Sequence, residues 1–282
     1  MKRQCRTCKH TMHGHKKQRC SVRKTMHMPD GSFYSGSWYD DKPSGYGKME
    51  YKSGITYSGW FLAGKRHGHG IESNKAGIVL YDGNWDNDLR HGTGILVIQN
   101  VGVYKGEFAN GKYHGSGTLY KSDNDWYTGQ WYRGLRHGKG TYQNQDGKYV
   151  GEYCYNLRNG VGQMTYNDKS VYTGTWRQNL RCGQGILTCK EGVYDGSWKH
   201  GKKSGQGRWV SKKEGTYEGK WKLGLRHFKG TQKYVNGDIY TGGWNKGKRT
   251  GHGVMTYANG TEYNGFWSRS ISIYYINLVL CF

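Results

Sequence analysis

Aliphatic side chains are scarce in this sequence, and their scarcity excludes a thick core of leucine, isoleucine and valine. The seven cysteines are scattered and odd in number, which argues against a disulfide framework and favours a reducing compartment. No apolar run follows the basic N-terminus, so the sequence does not predict a signal peptide. The apolar tail at 271–282 is well short of the ~20 residues that span a bilayer. We therefore expect a soluble intracellular protein.

Acidic residues are few as well. The chain has 282 residues, with 43 lysines and arginines against 20 aspartates and glutamates, and a formal net charge of +23. A positive field of that size favours anionic partners. Acidic protein surfaces, anionic lipids and nucleic acids all remain candidates on charge alone.

Glycine and the aromatic residues are abundant, and they recur at a fixed interval. A tyrosine followed two residues later by glycine returns every 22 to 24 residues, and a Gly-x-Gly pair begins 11 residues after each of the first ten tyrosines. Phe228 alone replaces the first glycine of such a pair. A short fixed period predicts a repeat array and not a globule with one cleft. The repeat tyrosines are Tyr34, Tyr57, Tyr81, Tyr104, Tyr127, Tyr149, Tyr172, Tyr194, Tyr217, Tyr240 and Tyr263.

Each repeat is predicted to be a β-hairpin. Apolar and polar residues alternate in Tyr104–Phe108 and again in Gly115–Leu119, which indicates two strands with one apolar face. Between them, seven residues after each tyrosine, stands Gly, Asn or Asp, the types that tolerate a positive φ in a tight turn. The glycines in the strands leave room for aromatic rings over the backbone. We expect an all-β fold, an extended, twisted, single-layer antiparallel sheet of tandem hairpins. The turn positions are Asp41, Gly64, Asp88, Gly111, Gly134, Asn156, Asn179, Gly201, Gly224 and Gly247.

The repeat resembles the MORN repeat (membrane occupation and recognition nexus). Residues 127–147, YTGQWYRGLRHGKGTYQNQDG, are similar to a consensus copy, and the resemblance covers about residues 31–267. It implies stacked hairpins and roles in scaffolding, in cytoskeletal or ciliary assembly and in contact with phosphoinositide-bearing membranes. It also implies that homodimers occur. Function varies within the family, so the resemblance implies the fold more narrowly than the role.

Three segments follow from this pattern. Residues 1–24 form a basic N-terminal tail, for which we expect disorder. Residues 25–267 hold the array: half a repeat that serves as a capping strand, ten full repeats and the start of an eleventh. Residues 268–282 form an apolar cap or tail, because the turn residue and the Gly-x-Gly pair are missing after Trp267. The tail's Cys5-x-x-Cys8, with His10, His13, His15 and Cys20, leaves a zinc site open as a weaker alternative.

Two sets of residues are candidates for function. The first is the aromatic face that defines the repeat, which we expect to hold partners together with the exposed turns. Its members are Tyr34, Trp38, Tyr57, Tyr81, Trp85, Tyr104, Phe108, Tyr127, Trp131, Tyr149, Tyr153, Tyr172, Trp176, Tyr194, Trp198, Tyr217, Trp221, Tyr240, Trp244, Tyr263 and Trp267.

The second set is a row of cations just before each Gly-x-Gly pair. Stacking of the repeats would place these cations along one edge of the sheet. They either protect that edge and keep the protein soluble, or they form a stripe that binds an anionic partner. The cations are Lys42, Lys65, Arg66, Arg90, Lys112, Arg136, Arg158, Arg181, Lys202, Lys203, Arg226, Lys248 and Arg249.

The remaining motifs do not indicate catalysis. The Gly-x-Gly pairs lie inside strands and open no helix, unlike a phosphate-binding loop. Histidines that precede them recur too far apart to share a metal ion, and we expect them to pack at the turns. We expect no enzyme, no cofactor and no metal site.

The sequence therefore predicts a non-enzymatic scaffold for protein partners in a cytoskeletal or axonemal assembly. A peripheral membrane protein that binds anionic phospholipids, and an accessory subunit that docks a lipid kinase or another enzyme, remain alternatives. We expect a place in the cytoplasm and cytoskeleton, with the cilium or flagellum axoneme and the membrane periphery as further candidates. Nucleic acid is not an expected partner, because no nucleic-acid module accompanies the basic tail.

Overall fold

The structure is a computed structural model, and it describes residues 21–273. Within these residues every regular element is a β-strand, and no helix that could cross a membrane occurs there. The strands are β1 (Ser21–His27), β2 (Phe33–Tyr39), β3 (Lys42–Glu50), β4 (Thr56–Leu62), β5 (Lys65–Ser73), β6 (Val79–Asp86), β7 (Leu89–Ile98), β8 (Gly102–Ala109), β9 (Lys112–Ser122), β10 (Asp125–Tyr132), β11 (Leu135–Asn144), β12 (Gly147–Cys154), β13 (Leu157–Tyr166), β14 (Val171–Arg177), β15 (Leu180–Cys189), β16 (Gly192–Lys199), β17 (Lys202–Ser211), β18 (Gly215–Lys222), β19 (Leu225–Lys233), β20 (Ile239–Asn245), β21 (Lys248–Thr256), β22 (Glu262–Ser268) and β23 (Ile271–Ile273).

All 23 strands belong to one antiparallel sheet, as the alternating sequence predicts. The described chain divides into two compact units, residues 21–97 with 108–111, and residues 98–107 with 112–273. In the first unit β1 to β7 pair in chain order. In the second unit β9 to β23 do the same. The predicted all-β fold of tandem antiparallel hairpins is confirmed.

The two ends of the described chain differ from the predicted boundaries. β1 begins at Ser21, four residues before the predicted start of the array, and pairs with β2. At the other end Arg269 and Ser270 adopt φ values of 50° and 76°, and they turn the chain into β23, which pairs with β22. The sequence shows no Gly, Asn or Asp here, yet a serine supplies the turn. Residues 1–20 and 274–282, including the cysteine and histidine motif, lie outside the described residues.

The hairpin turns explain the residue types at the predicted turn positions. All ten predicted turn residues have a positive φ, between 53° and 89°, and the residue before each also has a positive φ, between 47° and 54°. Two consecutive positive values define a type I′ turn, whose twist matches that of paired strands. The first turn position is not restricted to small residues: Tyr155 and Leu223 occupy it.

The repeat tyrosine lies flat over a pair of glycines, as the hairpin formed by β12 and β13 illustrates. The Tyr149 hydroxyl donates a hydrogen bond to the carbonyl oxygen of Glu152 at 3.1 Å. A Cβ at Gly151 would lie 2.5 Å from that hydroxyl oxygen, and a Cβ at Gly162 would lie 2.5 Å from Cζ of the same ring. Real Cβ contacts are longer than this, so both positions require glycine. The predicted reason for the strand glycines is confirmed.

The aromatic residue four positions after each tyrosine locks adjacent hairpins together. Trp176 meets Tyr172 and Tyr149 edge to face, with ring centroids 5.1 and 5.5 Å apart. Its indole nitrogen donates a hydrogen bond to the carbonyl oxygen of Gly162 at 3.2 Å. Edge-to-face aromatic pairs stabilise a core beyond the area they bury, by about 0.5–1.5 kcal/mol each. The aromatic row therefore acts as the core of the sheet.

A β-bulge interrupts nine of the hairpins beside this core. In β12 and β13, Gly151 pairs with Gly162, but Tyr153 pairs with Arg158, so three residues face one across the bulge. The bulge includes the first glycine of each Gly-x-Gly pair, and in nine repeats that glycine has a φ between 54° and 91°. The remaining repeat, which begins at Tyr217, places Phe228 there with a φ of 59°. A phenylalanine in this left-handed conformation is strained.

Candidate functional site

The predicted row of cations divides into two sets in the structure. In the first set, which we call the stacked cations, the side chain is half-buried and lies within 6 Å of at least one ring of the aromatic row. In the second set, which we call the turn lysines, the side chain is exposed at the start of the strand that follows the hairpin turn. The stacked cations are Arg66, Arg90, Arg136, Arg158, Arg181, Lys203, Arg226 and Arg249. The turn lysines are Lys42, Lys65, Lys112, Lys202 and Lys248.

The stacked cations cover the aromatic row. The guanidinium carbon of Arg158 lies 4.3 Å from the centroid of the Trp176 ring and 5.6 Å from that of Tyr149. Arg66 lies 3.9 Å from the Trp85 ring. A cation over an aromatic face is attracted to the negative potential of the ring. These side chains are therefore already engaged by the aromatic rings of the core, and a ligand would have to compete with those contacts.

Four of these cations, Arg66, Arg136, Arg158 and Arg249, also tie one hairpin to the next through side-chain hydrogen bonds. Arg66 donates hydrogen bonds from its guanidinium group to the carbonyl oxygen of Asp88 at 2.9 Å and to the Asp88 carboxylate at 3.2 Å. Arg158 repeats the contact with the carbonyl oxygen of Asn179 at 3.3 Å, while its backbone nitrogen donates to the Asn179 side chain at 2.9 Å. The Asp or Asn at a turn thus has two roles. It tolerates the positive φ of its own hairpin, and it accepts hydrogen bonds from the neighbouring hairpin.

Lys203 takes the place of arginine among three rings. Its ammonium nitrogen lies 4.0 Å from the centroid of the Trp209 ring, 4.8 Å from that of Tyr194 and 4.9 Å from that of Trp221. Burial is the main cause that lowers the pKa of Lys203 to about 8. The ring faces favour the charged form, so burial and stacking oppose each other at this lysine.

The aromatic face does not offer the partner surface that the sequence suggested. The repeat tyrosines from Tyr34 to Tyr240 are at most 2% exposed, and the aromatic residues four positions later are also buried. Burial raises the pKa of Tyr149 and of Tyr172 to about 12. A row buried by its own rings and by the stacked cations forms the interior of the repeat.

One member of this row was missed from the sequence. Phe61 is 3% exposed and meets Tyr34 and Tyr57 edge to face at 5.1 and 5.0 Å. Trp60, one residue earlier, resembles the tryptophan of the other repeats, but it is 51% exposed on the opposite face. The spacing of four residues from Tyr57 was the signal that identifies Phe61.

The opposite face of the sheet is the exposed one, and we call it the polar face. It consists of the residues one, three, twelve and fourteen positions after each repeat tyrosine. Strand alternation points them away from the aromatic row. Cross-strand pairs on this face include Thr118 with Thr128, whose hydroxyl oxygens are 2.8 Å apart, and Gln163 with Thr173 at 3.1 Å. The side chains of the polar face are therefore held in part by hydrogen bonds between neighbouring strands.

A groove of about 830 Å³ lies on the polar face of the second unit, and we call it the basic groove. Exposed cations line it from β17, β18 and β19, with one carboxylate among them. The hydroxyl oxygens of Thr231 and Thr241 are 3.1 Å apart within it. The charged lining residues are Arg208, Glu218, Lys220, Lys229 and Lys233.

The histidines pack near the turns, as predicted. The ring of His137 lies 5.7 Å from that of Tyr132 and 5.1 Å from that of Tyr155, and His67 contacts the Asp86 carboxylate at 3.2 Å. Among residues 21–273 no group of three or more His, Cys, Asp or Glu side chains is placed to hold a metal ion.

The strand pairing and the buried aromatic row define the class of this protein, which is an array of tandem β-hairpins with an aromatic interior. The MORN repeat family then matches this chain ten times, so the chain belongs to that family of repeat scaffolds. The matches cover residues 34–56, 57–77, 81–100, 104–126, 127–148, 149–171, 172–193, 194–216, 217–239 and 240–262.

A curated relative carries the same repeat. The MORN repeat-containing protein 3 of Xenopus laevis is 33% identical over 85 residues, which are 28% of this chain and 36% of the relative. The match thus spans just over a third of that relative. Solved structures of a streptogramin B lyase, of virginiamycin B lyase from Staphylococcus aureus and of BamB from Moraxella catarrhalis align at 9%, 7% and 8% identity. The alignments cover 87%, 87% and 91% of this chain and 82%, 84% and 88% of those chains, with TM-scores of 0.16, 0.16 and 0.15.

Proposed function

We propose that this protein is a non-catalytic scaffold that organises cytoskeletal or axonemal assemblies by binding protein partners on its polar face. One observation carries the proposal: the buried side of the repeat is constant, while the exposed side changes from repeat to repeat. Tyrosine, aromatic ring and paired glycines recur, but the polar face presents Thr118 beside Thr128 in one place and Arg208 opposite Glu218 in another. Repeat proteins bind partners through such extended, variable surfaces.

The burial of the aromatic row supports the choice of face. A partner that used the row would have to displace stacked cations such as Arg158, together with their bonds to the next turn. On the polar face Val150 is 47% exposed and Ile186 is 44% exposed, so apolar contacts are available without rearrangement. Apolar residues surrounded by polar neighbours are typical of protein interfaces.

Proximity labelling with the full chain, in a ciliated or dividing cell, tests this function. We expect cytoskeletal or axonemal proteins to be enriched, and we expect Val150→Glu with Ile186→Glu to reduce their labelling. The matched control is Leu223→Glu with Val235→Glu, which adds the same charges at exposed turn residues, 68% and 65% exposed. The control should label as the parent does. Equal loss in both variants would show that charge alone disrupts binding.

Other labelling results would contradict the scaffold proposal. Enrichment of membrane proteins and lipid kinases, without cytoskeletal proteins, would favour the accessory-subunit or membrane alternatives. An unchanged partner set in the polar-face variant would show that partners bind elsewhere.

A second candidate function is the binding of anionic phospholipid headgroups, and the turn lysines favour it. Their five exposed ammonium groups are free of the ring contacts that occupy the stacked cations. Each lysine near an anionic membrane contributes roughly 1 kcal/mol, and salt screens the attraction. Several together could retain the protein at a membrane, whereas one could not.

Sedimentation with phosphoinositide-containing vesicles tests this second candidate. The variant changes all five turn lysines to Gln, and its control changes five exposed lysines of the opposite, closing turns: Lys52, Lys75, Lys169, Lys190 and Lys212. The candidate predicts loss of vesicle binding in the first variant alone. Equal loss of vesicle binding in both variants would show that binding depends on net charge alone. No loss of binding in either variant would rule out this second candidate function.

A further inference from the structure

Phe228 combines backbone strain with exposure. It occupies the bulge position that is glycine in the nine other repeats, with a φ of 59°, and its side chain is 54% exposed. Left-handed backbone disfavours a side chain, and an exposed ring returns little of that cost by burial. Strained residues that persist without a packing reason are candidates for function.

The ring of Phe228 lies beside the basic groove. The ammonium nitrogens of Lys220 and Lys222 lie 6.0 and 5.9 Å from its centroid, and the ring of His227 meets it edge to face at 4.5 Å. Lys220 lines the groove as well, and Lys229 follows Phe228 directly along β19. An exposed aromatic ring thus stands at the rim of a positively charged depression.

The positive charge of the groove is local. Four cations, Arg208, Lys220, Lys229 and Lys233, line it with the single carboxylate of Glu218, an excess of three positive charges. From residue 105 to residue 197 the polar face of the second unit is nearly balanced, with two lysines and three carboxylates. Those five residues are Lys105, Lys139, Glu107, Glu152 and Asp195. The excess therefore marks this groove and is not a property of the whole face.

Hydrogen-bonding groups in the groove favour a peptide over a phosphate-bearing ligand. Glu218 lies between the cations, opposite Arg208 on the neighbouring strand, and it would repel phosphate groups. The same carboxylate can accept a hydrogen bond from a backbone amide, and the hydroxyl groups of Thr231 and Thr241 can donate or accept. A polypeptide backbone supplies both partners.

We propose that the basic groove binds an acidic protein segment that carries one aromatic side chain, and that Phe228 is the apolar anchor for that side chain. This inference rests on the proposed scaffold function and names the chemistry of one of its partners. Carboxylates of the segment pair with the groove cations, while its aromatic side chain packs on the Phe228 ring. Interface energy is concentrated in such aromatic anchors.

The test measures binding of two labelled peptides to the full chain by fluorescence anisotropy. One is a short polyglutamate peptide with a central tryptophan, and the other is polyglutamate alone. Because the chain carries a net charge of +23, polyglutamate alone reports general attraction. We expect the tryptophan peptide to bind about tenfold more tightly to the parent, as for an aromatic anchor. In Phe228→Gly this difference should vanish, although the variant should unfold at a higher denaturant concentration.

Leu223→Gly is the matched control. Leu223 lies on the same hairpin, has a φ of 54° and is 68% exposed, but it belongs to the turn. Its replacement relieves the same kind of strain, and we expect the preference for the tryptophan peptide to remain. Lys220→Gln with Lys229→Gln should weaken the binding of both peptides and flatten its salt dependence.

Three results would overturn the proposal. One is an equal affinity of the parent for the two peptides. Another is the same loss of preference in Leu223→Gly as in Phe228→Gly. The third is tighter binding of phosphatidylserine vesicles or of a single-stranded oligothymidine, with the same dependence on Phe228. Failure of the cellular labelling experiment would remove the scaffold function and leave the peptide affinities unaffected.

Discussion

Replacement of Arg158 by glutamine tests whether the stacked cations stabilise the fold. The guanidinium group stacks 4.3 Å from the Trp176 ring and donates a 3.3 Å hydrogen bond to the carbonyl oxygen of Asn179. A half-buried cation–π contact contributes about 1 kcal/mol, and a long hydrogen bond of this kind contributes about 0.5–1 kcal/mol. Glutamine retains part of the aliphatic stem but neither contact. The apparent free energy of unfolding should therefore fall by about 1.5–2 kcal/mol.

Urea unfolding followed by tryptophan fluorescence measures this change. The matched control is Arg177→Gln, since Arg177 is an exposed arginine at the end of the adjacent strand β14. An exposed substitution usually changes stability by less than about 0.5 kcal/mol. Equal midpoints for the two variants would refute the stabilising role of the stacked cations. Loss of anionic-vesicle binding in Arg158→Gln, with unchanged stability, would identify Arg158 as part of a binding stripe instead.

The remaining predictions concern glycine, strain and pH. Gly162→Ala should lower the free energy of unfolding by about 3 kcal/mol in urea unfolding, since its Cβ would overlap the Tyr149 ring; a loss no larger than that of Gly134→Ala would contradict this. Phe228→Gly should raise the same free energy by about 0.5–1 kcal/mol, because relief of the left-handed strain exceeds the added backbone entropy of glycine; a lower unfolding midpoint would contradict this. Burial raises the pKa of Tyr34, Tyr149 and Tyr172 from 10.0 to about 12, so the folded state holds protons that the unfolded state loses above pH 10. The contribution of these tyrosines to stability should therefore be constant up to about pH 10 and fall between about pH 10 and 12 in an alkaline titration followed by circular dichroism and tyrosinate absorbance; tyrosinate formation near pH 10 in the folded protein would contradict this.

Much of the fold was predictable, because each repeat satisfies local rules that the sequence displays. Alternation predicted the strands, and the Gly, Asn or Asp at each turn predicted the positive φ that the structure has there. The strand glycines were predicted to lie under rings, and Tyr149 over Gly151 and Gly162 confirms this. Ten concordant copies made each local inference stronger than one copy could.

The candidate site was less predictable, because side-chain direction depends on contacts between repeats. Arg158 and Lys202 both precede a Gly-x-Gly pair, yet one lies over a tryptophan and the other is exposed. The register across the bulge separates them, since Arg158 pairs with Tyr153 and so shares a face with the aromatic row. The sequence does not show the bulge either. Phe228 therefore indicates an irregular repeat, but the sequence alone does not indicate that its backbone is strained.

Hydroxyl-radical footprinting, read out by mass spectrometry, tests the central claim that the aromatic row is interior and that the polar face binds. In the free protein Tyr172 and Trp176 should be protected, whereas Val161, 61% exposed, and Phe228, 54% exposed, should be modified. A bound protein partner should protect residues of the polar face and leave the aromatic row unchanged. Strong modification of Tyr172 and Trp176 in the free protein, with protection when the partner binds, would contradict the account.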